Sequence, residues 1–211
     1  MSSSARFTVV TIQNRRERER AERHQLIIDA ARELAEAEGW DAVTTRRLAD
    51  KVEYSQPVLY SHFAGKDAIV AAVARQGFTE LAEDTRKRAS AAAGPHDALE
   101  AVVLGYLAFA RANPATYYAM FTATTELRFA AEDTPPELSE AFAALRAPVI
   151  ASAHLAEHDA DLQTELLWST LHGLATLQAA ARIPAEGQPE RIALLLRSLG
   201  PRSRGDGPET S

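Results

Sequence analysis

The sequence predicts an all-α protein, and three observations carry that expectation. Ala, Leu, Glu and Arg, which fit a helix at little cost, dominate between Arg15 and Leu199. Alternation of β-branched with polar residues is rare, so strands have little support. Gly and Pro fall mainly where helices should stop, at Gly39, Gly65, Gly94-Pro95, Asn113-Pro114, Thr134-Pro135-Pro136, Pro184 and Pro189. These marks divide the chain into about nine helices: three that form a small head, then a larger helical body.

The first helix is expected from about Arg16 to Glu38, because Leu26, Ile27, Ala30, Ala31 and Leu34 make one apolar stripe at helical spacing. Gly39 supplies a left-handed stop, after which Trp40 can fold back over the last turn. Thr44 is a good N-cap for a short helix running to about Val52, with Leu48 and Val52 inward. Three residues, Glu53-Tyr54-Ser55, lead to another short helix, Gln56 to Phe63. Ser55 can cap it, and Pro57 is tolerated in its first turn. After Ala64-Gly65 a long helix starts at Lys66 or Asp67 and reaches about Ala93. Further helices are placed near 96–112, 114–124, 136–157, 160–183 and 188–199. The expected organisation is a flexible arm at 1–14, a head at 15–66, a body at 67–199 and a disordered polar tail at 200–211.

Composition narrows the function. Of 211 residues, 46% are hydrophobic and 25% charged, enough for a real core. With no cysteine, disulfide scaffolds, thiolate zinc sites and cysteine nucleophiles are excluded. Met1 to Gln13 lacks the basic start and apolar run of a secretion signal, and no eighteen apolar residues run together. The expectation is a soluble cytoplasmic protein without a membrane span. The net charge of −6 argues against nucleic acid coating the whole surface. Its distribution is uneven. Residues 1–66 hold 11 Lys/Arg against 10 Asp/Glu, whereas 67–200 hold 10 against 17. Such a chain can place its head alone on an anionic partner.

Helix, three-residue turn, helix is the geometry of a helix-turn-helix. In the second of these helices Leu59 and Phe63 can anchor the core while Gln56, Pro57, Tyr60 and Ser61 point away. A Gln can make a bidentate bond to an adenine edge, Pro and Tyr can touch a thymine methyl, and hydroxyls such as those of Ser55 and Ser61 can meet phosphate. Arg46 has the fork that matches guanine, and Lys66 adds charge at a helix start. Two short helices with a solvated Arg and Gln face also occur in proteins that bind no DNA. The wording decides more. Thr44-Thr45-Arg46-Arg47-Leu48-Ala49-Asp50-Lys51-Val52, Ser55-Gln56-Pro57-Val58-Leu59-Tyr60-Ser61-His62-Phe63 and Lys66-Asp67 together resemble the TetR family of transcriptional regulators over roughly 21–75. The resemblance implies a three-helix DNA-binding head, a helical ligand-binding and dimerisation body, and repression of a palindromic operator relieved by a small molecule. It implies that Arg46, Gln56, Pro57 and Tyr60 face bases and that Thr45, His62 and Lys66 face phosphates. Where the family's turn has Gly, this chain has Glu53. A left-handed residue there costs about 1–2 kcal/mol, so a differently shaped turn is one expectation.

In the body, Asn113-Pro114-Ala115-Thr116-Tyr117-Tyr118-Ala119-Met120-Phe121 and Trp168-Ser169-Thr170-Leu171-His172-Gly173-Leu174 resemble a TetR subgroup whose C-terminal domain carries Trp-x-x-x-His-Gly. Tyr106, Phe109, Tyr117, Phe121, Trp168 and His172 are candidate walls for an apolar or aromatic effector; plain core packing is the competing reading. The apolar faces of 160–183 (Leu162, Leu166, Trp168, Leu171, Leu174, Leu177) and 188–199 (Ile192, Leu195, Leu196, Leu199) exceed what one core needs, which suits a homodimer, and the resemblance puts a four-helix dimer bundle there.

Other constellations carry less. His154 and His158 sit at a spacing that can grip a metal, but histidines near a helix C-terminus also suit its dipole, and no metal or cofactor is expected. His172 has no Ser, Asp or Glu beside it in a triad role, so an all-helical enzyme, or a small-molecule-binding protein using a cavity in 67–199, is the alternative rather than the expectation. The Arg15-to-Arg20 run is either a salt-bridged helix start or an arm that touches DNA.

Overall fold

The computed structural model describes residues 3–123, 127, 134–153 and 157–199. Among them are nine α-helices and a single 3₁₀ turn, with no strand. The helices are α1 (Ser3–Glu38), α2 (Thr45–Lys51), α3 (Gln56–His62), α4 (Lys66–Ala91), α5 (Pro95–Ala112), α6 (Pro114–Phe121), α7 (Pro136–Ala153), α8 (Glu157–Ala179) and α9 (Gln188–Leu199), with the 3₁₀ turn at Trp40–Ala42. His154 and the tail 200–211 lie outside the described residues.

The chain forms two compact units, Met1–Arg75 with Ala115–Glu126, and Gln76–Pro114 with Leu127–Ser211. The first is built around Ile27, Ala31 and Leu34 of α1, Leu48 and Val52 at α2, Leu59 and Phe63 at α3, and Ile69 and Val73 of α4, all buried. Thr44 caps α2 as expected, accepting the Arg47 N–H at 3.2 Å. Gly39 takes a positive φ of 82°, which ends α1. A second cap is made from far away in sequence. The Glu36 carboxylate of α1 accepts the Ala115 N–H (2.9 Å), the Thr116 N–H (2.9 Å) and the Thr116 hydroxyl (2.8 Å). Beside it, Trp40 Nε1 donates to the Ala115 carbonyl at 2.8 Å. The negative charge meets the positive end of α6 and satisfies amides that the helix itself cannot.

In the second unit α5, α7, α8 and α9 pack on one another. Leu99, Val102, Val103, Leu138, Leu145, Val149, Leu167, Leu171, Ile192, Leu196 and Leu199 fill the space between them. Gly105 of α5 lies under the Arg88 stem of α4, where an added Cβ would stand 2.4 Å from the Arg88 Cδ. Arg88 is held by Asp84 at 2.5 Å.

Three expectations are corrected. The first helix starts at Ser3, not near Arg16, and so takes in most of the segment expected as an arm. No Gly or Pro interrupts 3–38, and adding a residue to an existing helix avoids the cost of nucleation. Helix α8 ends at Ala179 rather than 183, because Ala181 turns left-handed (φ 53°) and the Arg182 N–H closes back on the Leu177 carbonyl (2.8 Å). Ser55 stands at the N-cap of α3 without a side-chain bond to the helix; its carbonyl receives the Val58 and Leu59 amides instead.

Candidate nucleic-acid interface

Helices α2 and α3 are joined by a turn whose shape rests on Glu53. The residue adopts φ 56°, the conformation that glycine takes most easily. The Tyr54 N–H bonds to the Ala49 carbonyl at 3.0 Å and the Glu53 N–H reaches the Asp50 carbonyl at 3.4 Å. This is the double closure that commonly ends a helix on glycine, so the left-handed turn is kept without one. Glu53→Gly should relieve about 1–2 kcal/mol of backbone strain while adding about 0.4–1 kcal/mol of freedom to the unfolded chain. A small rise in the thermal midpoint is the expected result, and a fall would contradict it.

Leu59 and Phe63 face the core, 1% and 5% exposed, and this fixes which side of α3 is presented. Gln56, Pro57, Tyr60 and Ser61 are exposed, as are Ser55 and Arg46. Thr45 and Tyr60 bring their hydroxyls to 3.5 Å, joining the start of α2 to the outer face of α3. Arg47, next to Arg46, is engaged by the Glu38 carboxylate at 2.7 and 2.9 Å. Lys66, expected to face a phosphate, donates to the Trp40 carbonyl at 2.5 Å. An ammonium carries three donors, so this bond does not exhaust it.

The sequence reading missed the neighbourhood of His62. His24 of α1 stacks on Phe63 with ring centroids 4.3 Å apart and lies 5.9 Å from the His62 ring. Arg20 Nη2 donates to the Ser61 carbonyl at 3.3 Å. The Nδ1 of His62 is buried and has no hydrogen-bond partner among the described residues. Burial chiefly, then His24, Arg20 and Arg23, hold the His62 imidazole below its ordinary value. Burial and Arg20 do the same for His24. The only available signal was spacing: Arg20, His24 and Ile27 recur on one helical stripe.

Because both folded values are lowered, the unfolded chain takes up protons first. Stability should be full above about pH 6.5 and decline as the pH falls below it toward the folded values. Thermal unfolding at pH 7.5 and 5.5 checks this, and His24→Gln combined with His62→Asn should shrink the difference. An unchanged difference would remove these two residues as its source; burial lowers His172 as well, and that contribution remains.

The six residues expected as effector walls are distributed over both units. Tyr106 is buried and Phe109 half-buried on α5, while Trp168 and His172 are half-buried on α8. Tyr117 and Phe121 of α6 belong to the first unit, their rings 4.8 Å apart. Among the described residues no three His, Cys, Asp or Glu side chains could hold a metal ion together. None of the described helices is long and apolar enough to cross a membrane.

A short helix anchored from behind, with its polar face outward and a capped helix before it, is a helix-turn-helix. Residues 27–73 match the family described as bacterial regulatory proteins, tetR family, and residues 99–199 match the tetracyclin repressor-like C-terminal domain. The chain is 29% identical over 155 residues to the uncharacterized HTH-type transcriptional regulator YobS of Bacillus subtilis, covering 74% of this chain and 78% of the relative. Against the tetracycline repressor protein class D of Escherichia coli it is 48% identical over 48 residues, 23% and 22% of the two chains. A TetR variant of Acinetobacter baumannii in complex with minocycline shares the fold with a TM-score of 0.58 at 22% identity, covering 82% of this chain and 91% of the other. The chain belongs to the TetR family of transcriptional regulators.

Proposed function

We propose that this regulator is a cytoplasmic homodimeric repressor that binds a palindromic double-stranded operator through α2 and α3 and leaves it when a small apolar or aromatic effector enters the body. The observation that carries the DNA-binding part is the presentation of α3: Leu59 and Phe63 are buried while Gln56, Pro57 and Tyr60 are exposed. In this reading Arg46, Gln56, Pro57 and Tyr60 meet bases, and Thr45, Ser55, Ser61, His62 and Lys66 meet phosphates. One such helix covers few base pairs, so two half-sites about 34–36 Å apart, or a multiple of that, are needed.

The dimer reading is supported by an apolar surface that the chain itself leaves uncovered. Leu162, Leu166 and Leu177 of α8 are 49%, 68% and 44% exposed, and Leu194 of α9 is 60% exposed. Gly173, on the same side of α8, has open space where a Cβ would stand, so another helix can come close. Leu171, Ile192, Leu196 and Leu199 are instead spent on the protein's own core. The effector reading rests on Tyr106, Phe109, Trp168 and His172, which put aromatic surface and an imidazole whose pKa burial lowers on the packed pair α5 and α8. The name of the tetracycline repressor and the minocycline complex support repression and small-molecule binding as properties of such proteins. Nothing in this reading requires a catalytic role for His172.

A mobility-shift assay on the DNA flanking this protein's own gene tests the core of the reading. Gln56→Ala should cost about 1–3 kcal/mol and relax preference at one base pair per half-site. Unchanged affinity and unchanged preference would mean that α3 is not the reading helix.

A further inference from the structure

The stripe of α1 that packs into the head does not end where the core ends. Ile27 is fully buried, and upstream of it the same stripe continues as Arg23, Arg20 and Arg16. Side chains between Gln13 and Glu22 are almost all exposed, so this part of the helix has no core of its own to cover. Glu22 lies on another side with Arg15 and Arg18, and Glu19, at the edge of the stripe one turn before Arg23, is paired outward with Arg15 at 3.2 Å. Glu17, at the border of the stripe, receives Gln13 at 3.3 Å. No hydrogen bond or ion pair engages Arg16 or Arg23 among the described residues.

Two contacts place this stripe against the reading helix. Arg20 donates to the Ser61 carbonyl in the last turn of α3, at 3.3 Å. His24, one turn further along α1, lies 5.9 Å from His62. The positive stripe is therefore continuous with the surface that meets the operator. From Arg16 to Arg23 the helix rises about 10 Å, and a DNA strand carries one phosphate per about 3.4 Å of axis.

We propose that the helical N-terminal extension is a second DNA contact, in which Arg16, Arg20 and Arg23 bind backbone phosphates flanking the base pairs read by α3. Charge complementarity selects the occupant, and continuity with α3 selects the place. The contact is sequence-independent: it lengthens the footprint and adds affinity without changing which bases are preferred. A rigid helix fixes the guanidinium groups at one register, which a flexible arm would not do.

The inference rests on the DNA-binding reading, and the experiment separates the two. The probe is the duplex that the wild-type protein protects upstream of its own gene. Arg16→Gln with Arg23→Gln leaves Arg20 and its bond to Ser61 in place, so the pose of α3 is undisturbed. For a dimer this variant should flatten the slope of log affinity against log salt by about 3 to 4. Affinity at low salt should fall tenfold or more, with the base preference unchanged. Hydroxyl-radical protection should shorten at both ends of the site, and Arg16→Lys with Arg23→Lys should restore the slope. Wild-type slope and footprint in the Gln variant, while Gln56→Ala still alters base preference, would overturn the second contact alone. A changed base preference with an unchanged slope would overturn it too. Failure of the wild-type protein to protect any site would count against the DNA-binding reading itself.

Discussion

Leu166→Glu is expected to leave the second unit folded while converting the proposed dimer to monomers. Leu166 is 68% exposed, so its own chain loses almost no buried surface when it is replaced. In a helix bundle shared by two copies the same position would bring a carboxylate into an apolar contact, where burial of an unpaired charge is strongly opposed. Operator affinity should fall by about 10³-fold or more, toward the level of non-specific binding, because one half-site alone carries too little recognition. Sedimentation at micromolar concentration reads the first effect and a mobility shift reads the second. A variant that stays dimeric would move the interface away from α8.

Glu36→Ala is expected to cost the folded state about 3 kcal/mol. The carboxylate accepts two amides and a hydroxyl at the start of α6, and Thr116 is fully buried, so water has little access to its groups once the acceptor is gone. Glu36→Gln keeps one oxygen in reach but loses the charge that favours the helix terminus, and about half the loss is expected. Denaturant unfolding of both variants gives the comparison. A loss below about 0.5 kcal/mol for the alanine variant would mean that α6 is held by packing rather than by this cap.

The head was legible because its signals are local. Thr44 caps four residues before Leu48, Gly39 stops a striped helix, and Leu59 with Phe63 sets the orientation of α3 within a single turn. The same locality explains the misses. Residues 3–15 carry no apolar period, yet nothing in them stops a helix that is already running. Glu36 reads as a solvated acid on a charged helix, since its partners lie 79 and 80 positions away. Ala181 takes a left-handed conformation without being glycine, so the end of α8 carries no compositional mark. In the body, spacing identified the apolar faces of α8 and α9 but not which leucines turn inward, because that choice is made by α5 and α7.

The Glu36 cap also bears on modular exchange. The segment 115–123 lies in sequence within the C-terminal domain match, yet it is integral to the compact unit that contains α3. A fragment cut at the family boundary near residue 73 would leave Glu36 without its three donors and Trp40 without its acceptor. Transplanting this recognition specificity onto a relative's body therefore calls for two crossover pieces, the head and α6 together, rather than a single junction. The chimera with one junction should be the more protease-sensitive of the two.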